Sequence, residues 1–260
     1  MATFHPFRAP RRNPEPYGSR LWQFAFLCGT FSTVSVFAQA SQPQLPIPAA
    51  PIAPAPAPPR FVVVLDAAHG GDDSGGKLNG NQDEKAVDLA FSVRLRSLLA
   101  ARGIQAVTTR EEDRTLTPAQ RAEAANRANA QACISLHAAE SGYGVHIFTS
   151  SLAPQSGTRF AAWKTAQSAS VSRSLTLAGV LNSALTQAGF NVTLSRTTLP
   201  GIDSMTCPAV VLELAPERDS SHKIVSEPGS ADYQARIAQT IAAALLQWKT
   251  ADSRTEALQP

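Results

Sequence analysis

Apolar positions along this chain fall into two kinds of segment, short β-branched runs and longer stretches of helical period, and the two kinds alternate. The clearest run is Val62, Val63, Val64 and Leu65, which breaks into Asp66, Ala67, Ala68, His69, Gly70 and Gly71. Such a run reads as a fully buried, parallel strand whose carboxyl end carries the chemistry of the fold. A helix is predicted over 83–102, with Val87, Phe91, Leu95, Leu98 and Leu99 as its apolar stripe and Gly103 as its stop. Strands follow over 104–109, 132–137, 145–149, 192–195 and 208–214. Thr117, Pro118 and Gln120 have the spacing of a capped helix start, and that helix is expected to reach about residue 129. Further helices are predicted over 172–188 and 231–249, while 150–170 has weak periodicity and reads as a surface excursion. The alternation implies an α/β domain over 60–250: a mostly parallel open sheet flanked by helices on both faces, followed by a polar tail over 251–260.

The first sixty residues do not belong to that pattern. Arg8, Arg11, Arg12 and Arg20 precede an apolar stretch over 21–38 that closes on Ala38, Gln39 and Ala40, which predicts a secretory signal peptide over 1–40. A membrane anchor is the alternative, weakened by the polar interruptions at Thr30, Ser32, Thr33 and Ser35. Eight prolines between Pro43 and Pro59 make 41–59 a Pro/Ala-rich spacer. The expected location is therefore the periplasm or cell envelope, with membrane contact only transiently through the signal.

Charge adds one exclusion. The formal net charge of the chain is +3, and residues 1–40 alone hold four arginines and one glutamate, so the remainder is close to neutral and gives no footprint for nucleic acid. The glycine-rich stretch over 70–81 lacks the phosphate-loop pattern, which excludes a nucleotide site on that ground. Cys133 and Cys207 both lie among apolar residues and are expected as two buried free thiols, with a bridge between them as the alternative.

Three strands of the predicted sheet end in titratable residues, His69, His137 and Glu213, and the loop after the first delivers Glu84 at a helix start. On one sheet edge such residues converge, and two imidazoles, a carboxylate and a water suit a four-coordinate catalytic zinc, with a second carboxylate as general base. Glu213 interrupts an apolar strand, where a carboxylate without a partner is costly. Asp66 reads either as a group orienting a ligand or as a strand-end cap. Arg110 reads as a salt-bridge residue, or else as a holder of a peptide carboxylate. His146, His222 and His5 read as structural, surface and signal residues.

The order Val64 to Gly71, Glu84 and Lys85, Asp88 and Leu89, Thr109 and Arg110, Arg121, Ala125 and Asn126, Ser135 to His137, and Pro208 to Glu213 resembles the zinc-dependent N-acetylmuramoyl-L-alanine amidases of bacterial cell walls, over about 61–248. The resemblance implies one Zn²⁺ per chain on His69, Glu84 and His137, Glu213 as the catalytic glutamate, and peptidoglycan as the substrate. The implied reaction cuts the amide between muramic acid and L-alanine. Departures stand at Ala67 and Ala68, at Ala138 and Ala139, and over 215–220, and bear on loop shape and substrate contacts. Rival readings are a non-catalytic or autoinhibited wall-binding protein of the same fold and a zinc peptidase acting on another amide. An activator protein remains open as a partner.

Overall fold

A computed structural model of the chain describes residues 60–155 and 163–257; the signal-peptide and spacer readings over 1–59 fall outside the described residues. The strands are β1 (Val62–Ala67), β2 (Lys77–Leu78), β3 (Gln82–Asp83), β4 (Gln105–Thr108), β5 (Ala132–Ala138), β6 (Val145–Ser150), β7 (Val192–Thr197), β8 (Ala209–Leu214), β9 (Glu217–Arg218) and β10 (Ile224–Ser226). The helices are α1 (Glu84–Ala100), α2 (Pro118–Arg127), α3 (Val171–Gln187) and α4 (Ala231–Ala257). Six strands form one sheet in the order β4-β1-β5-β8-β6-β7, and the pairs β2 with β3 and β9 with β10 are small separate hairpins.

The sheet is parallel except at one seam, where β6 runs antiparallel to β8. The carboxyl ends of β1, β5 and β8 therefore share an edge with the amino end of β6. Alternation along each strand divides the core in two. Val63 and Leu65 of β1, Ile134 and Leu136 of β5, and Val210 and Leu212 of β8 pack with the apolar stripes of α1, α3 and α4. On the other face Val64, Cys133, Ala209 and Val211 meet Ala122 and Ala125 of α2 and the turn at Ile202. Helices on both faces follow directly from this double-sided burial.

Local signals hold where they have a named partner. The Thr117 side chain accepts from the Gln120 N–H and the Gln120 side chain accepts from the Thr117 N–H, so the capping box opens α2. The last helix runs beyond 249 to Ala257, through much of what reads as a polar tail, and Asp252 there pairs with Arg173 of α3. Of 150–170, residues 163–169 form 3-10 turns, and 156–162 lie outside the described residues.

The cysteines correct the free-thiol expectation. Cys133 and Cys207 form a disulfide with a Cα–Cα distance of 6.0 Å. Cys133 sits on β5, and its backbone N–H donates to the Pro208 carbonyl at 2.8 Å, so chain entry into the neighbouring strand β8 brings Cys207 beside it. Apolar surroundings are the same for a thiol and a bridge; strand adjacency decides, and spacing in sequence does not carry it.

Candidate functional site

His69 follows β1 in left-handed backbone conformation, φ 57°. Its Nδ1 donates to the Asp73 carboxylate at 2.9 Å, and its Nε2 faces Glu84 Oε1 at 3.2 Å, to which it donates when the ring is protonated. The loop that brings Asp73 around passes close above the site. At Gly75, φ 66°, a Cβ would fall 2.7 Å from both Glu84 Oε2 and the His69 ring, so only glycine lets the backbone through.

Glu84 opens α1 and is buried. Its Oε2 accepts the Gly76 N–H at 2.8 Å, and its Oε1 lies 2.9 Å from His137 Nδ1. Burial alone would raise this carboxyl, but the bonds from His137, His69 and Gly76 outweigh it and hold it well below the usual carboxylate range. The same Glu84 bond, opposed by burial and joined by Asp73, raises His69 above its ordinary 6.5. One oxygen thus stands between two imidazole nitrogens, whose rings cross edge to face at 5.2 Å.

The donor set fits a small divalent cation. Bonds of about 2.0–2.1 Å place the vertices of a tetrahedron about 3.3–3.4 Å apart, close to the 3.2 and 2.9 Å separations here. One turn along α1 from Glu84, Asp88 joins the cluster of possible ligand atoms with His69, Glu84 and His137, all within 4.8 Å of one another. Both Asp88 carboxylate oxygens are buried without a hydrogen-bond partner, and burial pushes its carboxyl well up. Sequence reasoning assigned Asp88 no role; its signal was an acid four residues after Glu84, on the inner face of an amphipathic helix.

Asp66 makes no hydrogen bond to the side chains of His69, Glu84 or His137. Its oxygens accept from Thr109 Oγ1 at 2.6 Å, Arg121 at 2.7 Å and Ser135 Oγ at 2.9 Å. Arg121 in turn donates to the Ala67 carbonyl at 2.7 Å and the His69 carbonyl at 2.5 Å, so Asp66 fixes the backbone of His69 through Arg121. Arg110 is buried rather than at the surface, and its guanidinium donates to the carbonyls of Ala67, Ala68 and Lys85 at 2.7–2.9 Å. Carbonyls, not a carboxylate, take its donors, which corrects both expectations for it. The unusual Ala67 and Ala68 therefore serve through backbone oxygens any side chain would supply.

Glu213 sits opposite His137 in the register of β5 with β8, on the α2 face. It is not deeply buried: its side chain is 30% exposed and opens onto a cavity of about 420 Å³ also lined by His69, His137 and Arg121, with an apolar wall that includes Phe148, Leu199 and Met205. Its partner is His146, Nδ1 to Oε1 at 2.8 Å, a residue the sequence placed only in a structural role. Alternation put His146 on one face of β6, but only the antiparallel register brings it opposite Glu213.

The family model for N-acetylmuramoyl-L-alanine amidase matches residues 63–247. The uncharacterized protein YqiI of Bacillus subtilis (strain 168) is 32% identical over 117 residues, 45% of this chain and 50% of YqiI. The N-acetylmuramoyl-L-alanine amidase AmiA of Escherichia coli (strain K12) is 40% identical over 77 residues, 30% of this chain and 27% of AmiA. The chain thus spans half or less of the length of these curated relatives. The CwlD amidase of Clostridioides difficile, solved in complex with the GerS lipoprotein, has the same fold: TM-score 0.54 at 20% identity, covering 74% of this chain and 100% of that one.

Proposed function

Because the chain belongs to the N-acetylmuramoyl-L-alanine amidase family, we propose that it hydrolyses the amide between the lactyl group of N-acetylmuramic acid and L-alanine in peptidoglycan, with one Zn²⁺ held by His69, Glu84 and His137. The observation that carries this is the meeting of two imidazole nitrogens around one Glu84 oxygen, at 2.9 and 3.2 Å, beside a cavity onto which Glu213 opens. When bound, zinc supplies Lewis-acid polarisation of the scissile carbonyl and lowers the pKa of water to about 7. Glu213 takes the proton of the attacking water and returns it to the amine nitrogen as the C–N bond breaks, leaving a lactyl carboxylate and a free L-alanine amine. Asp73 holds His69 in the tautomer a metal needs, and Asp66 with Arg121 holds the backbone beneath it. Export to an oxidising compartment is supported by the disulfide, which reducing cytosol disfavours. CwlD, which shares the fold, is solved in complex with a lipoprotein, and a protein partner is proposed for this chain as well.

The test is digestion of purified peptidoglycan by the full chain. Stem peptides with a free L-alanine amino terminus are expected; a chelator stops their release and added Zn²⁺ restores it. Cleavage within the stem peptide instead would make the chain a zinc peptidase of another specificity.

Metal binding is also expected to depend on pH. With no metal, Glu84 and Asp73 raise His69, so that contribution to stability is full below about 6.5 and is lost as pH rises through the raised value. Zinc needs the neutral ring and runs the other way: its affinity climbs through the same window, with release of the His69 proton. Calorimetric titration with Zn²⁺ between pH 5.5 and 8 checks this, and a flat affinity would count against His69 as a ligand.

A further inference from the structure

We propose that His146 is the positioning residue of Glu213: it fixes one carboxylate oxygen and so leaves the other to meet the water and the leaving amine. This rests on the reading of Glu213 as the base. Three features of the structure place His146 in that role.

The first is the bond itself. His146 Nδ1 lies 2.8 Å from Glu213 Oε1, across the antiparallel register of β6 and β8. An ionised carboxylate only accepts, so Nδ1 is the donor. The bond therefore ties up one of the two oxygens in a set direction.

The second is that the imidazole is itself held. Phe148 meets it edge to face, with ring centroids 6.3 Å apart and planes at 88°. On another side the chain passes at Gly142, φ 84°, where a Cβ would come within 2.7 Å of His146 Cε1. A larger residue there would push the ring, so glycine keeps it seated. The His146 side chain is 18% exposed, whereas that of Glu213 is 30% exposed. The more buried partner is the one that holds.

The third is the contrast with the other side of the cavity. His137 faces Glu213 from β5 in register, yet its Nδ1 is turned to Glu84 at 2.9 Å. The two histidines flanking Glu213 are thus divided, one to the metal ligand set and one to the base. A side chain placed by two neighbouring strands and free to rotate would lose orientation, and displacement of a reacting group by about 1 Å costs on the order of 100-fold in rate.

The experiment compares His146→Leu, which removes the donor, with His146→Asn, whose amide nitrogen reaches the place of Nδ1. Soluble muropeptide turnover, zinc content and melting temperature are measured on the full chain. His146→Leu is expected to lower kcat about 10- to 100-fold with KM within about twofold and one zinc retained, and His146→Asn to recover to within about threefold of wild type. A His146→Leu chain with wild-type kcat overturns the proposal. Equal losses in both variants also overturn it, because His146 would then act only through packing. Glu213→Gln measured alongside separates the failures: full activity there removes Glu213 as base, while an inactive Glu213→Gln beside an unimpaired His146→Leu removes only the positioning role.

Discussion

Glu213→Gln is expected to reduce peptidoglycan amide hydrolysis about 100- to 10,000-fold while zinc content and melting temperature stay near those of wild type. The amide keeps the size of the carboxylate and retains an oxygen that accepts from His146 Nδ1, so the hydrogen bond at 2.8 Å survives the change. Glu213 makes no hydrogen bond to the side chains of Glu84, His69 or His137, and its own side chain opens to the cavity rather than to the core. What the amide loses is the ability to take a proton from water. Stem-peptide release is followed by amino-group labelling, with zinc measured on the same preparation. Retention of more than a tenth of the activity would assign the proton transfer to another group.

Removal of the disulfide by the paired change Cys133→Ala and Cys207→Ala should have the largest effect on stability. The bridge closes a loop of 74 residues in the unfolded chain, for which the loop-entropy relation gives about 4.5 kcal/mol. For a domain of this size the melting temperature should fall on the order of 10 °C. The bridge also ties β5, which carries His137, to the entry of β8, which carries Glu213. Loss of activity on warming is therefore expected to begin earlier in the variant than loss of helical signal. Thermal scans by circular dichroism, with activity assayed at each step, check both parts; equal melting temperatures would show that the bridge adds no stability.

Much of the fold was legible because each signal was local. The β-branched run of β1, the stripe of α1 and the capping box of α2 depend on residues within a few positions of one another. The meeting of His69, His137 and Glu213 at one edge was legible because strand ends in an α/β sheet share it, and the loop after β1 brings Glu84 there. What escaped was set by strand order and direction. The disulfide needs β5 beside β8, and the His146 pairing with Glu213 needs β6 reversed against β8, neither of which any spacing in the chain reveals. Asp88 escaped for a different reason, since an inward-facing acid on a helix looks like any other polar residue until its oxygens prove to have no partner.

The left-handed backbone at His69 sets stability against selection. Such a conformation costs a side-chain-bearing residue about 1–2 kcal/mol, and glycine almost nothing. Judged by its backbone alone, position 69 would drift toward glycine. Histidine there is thus a standing burden on the fold, tolerable only while the work done at the sheet edge outweighs it. A descendant without the proposed chemistry would be expected to lose this histidine before it lost Asp66, Arg110 or Arg121, whose bonds support the architecture.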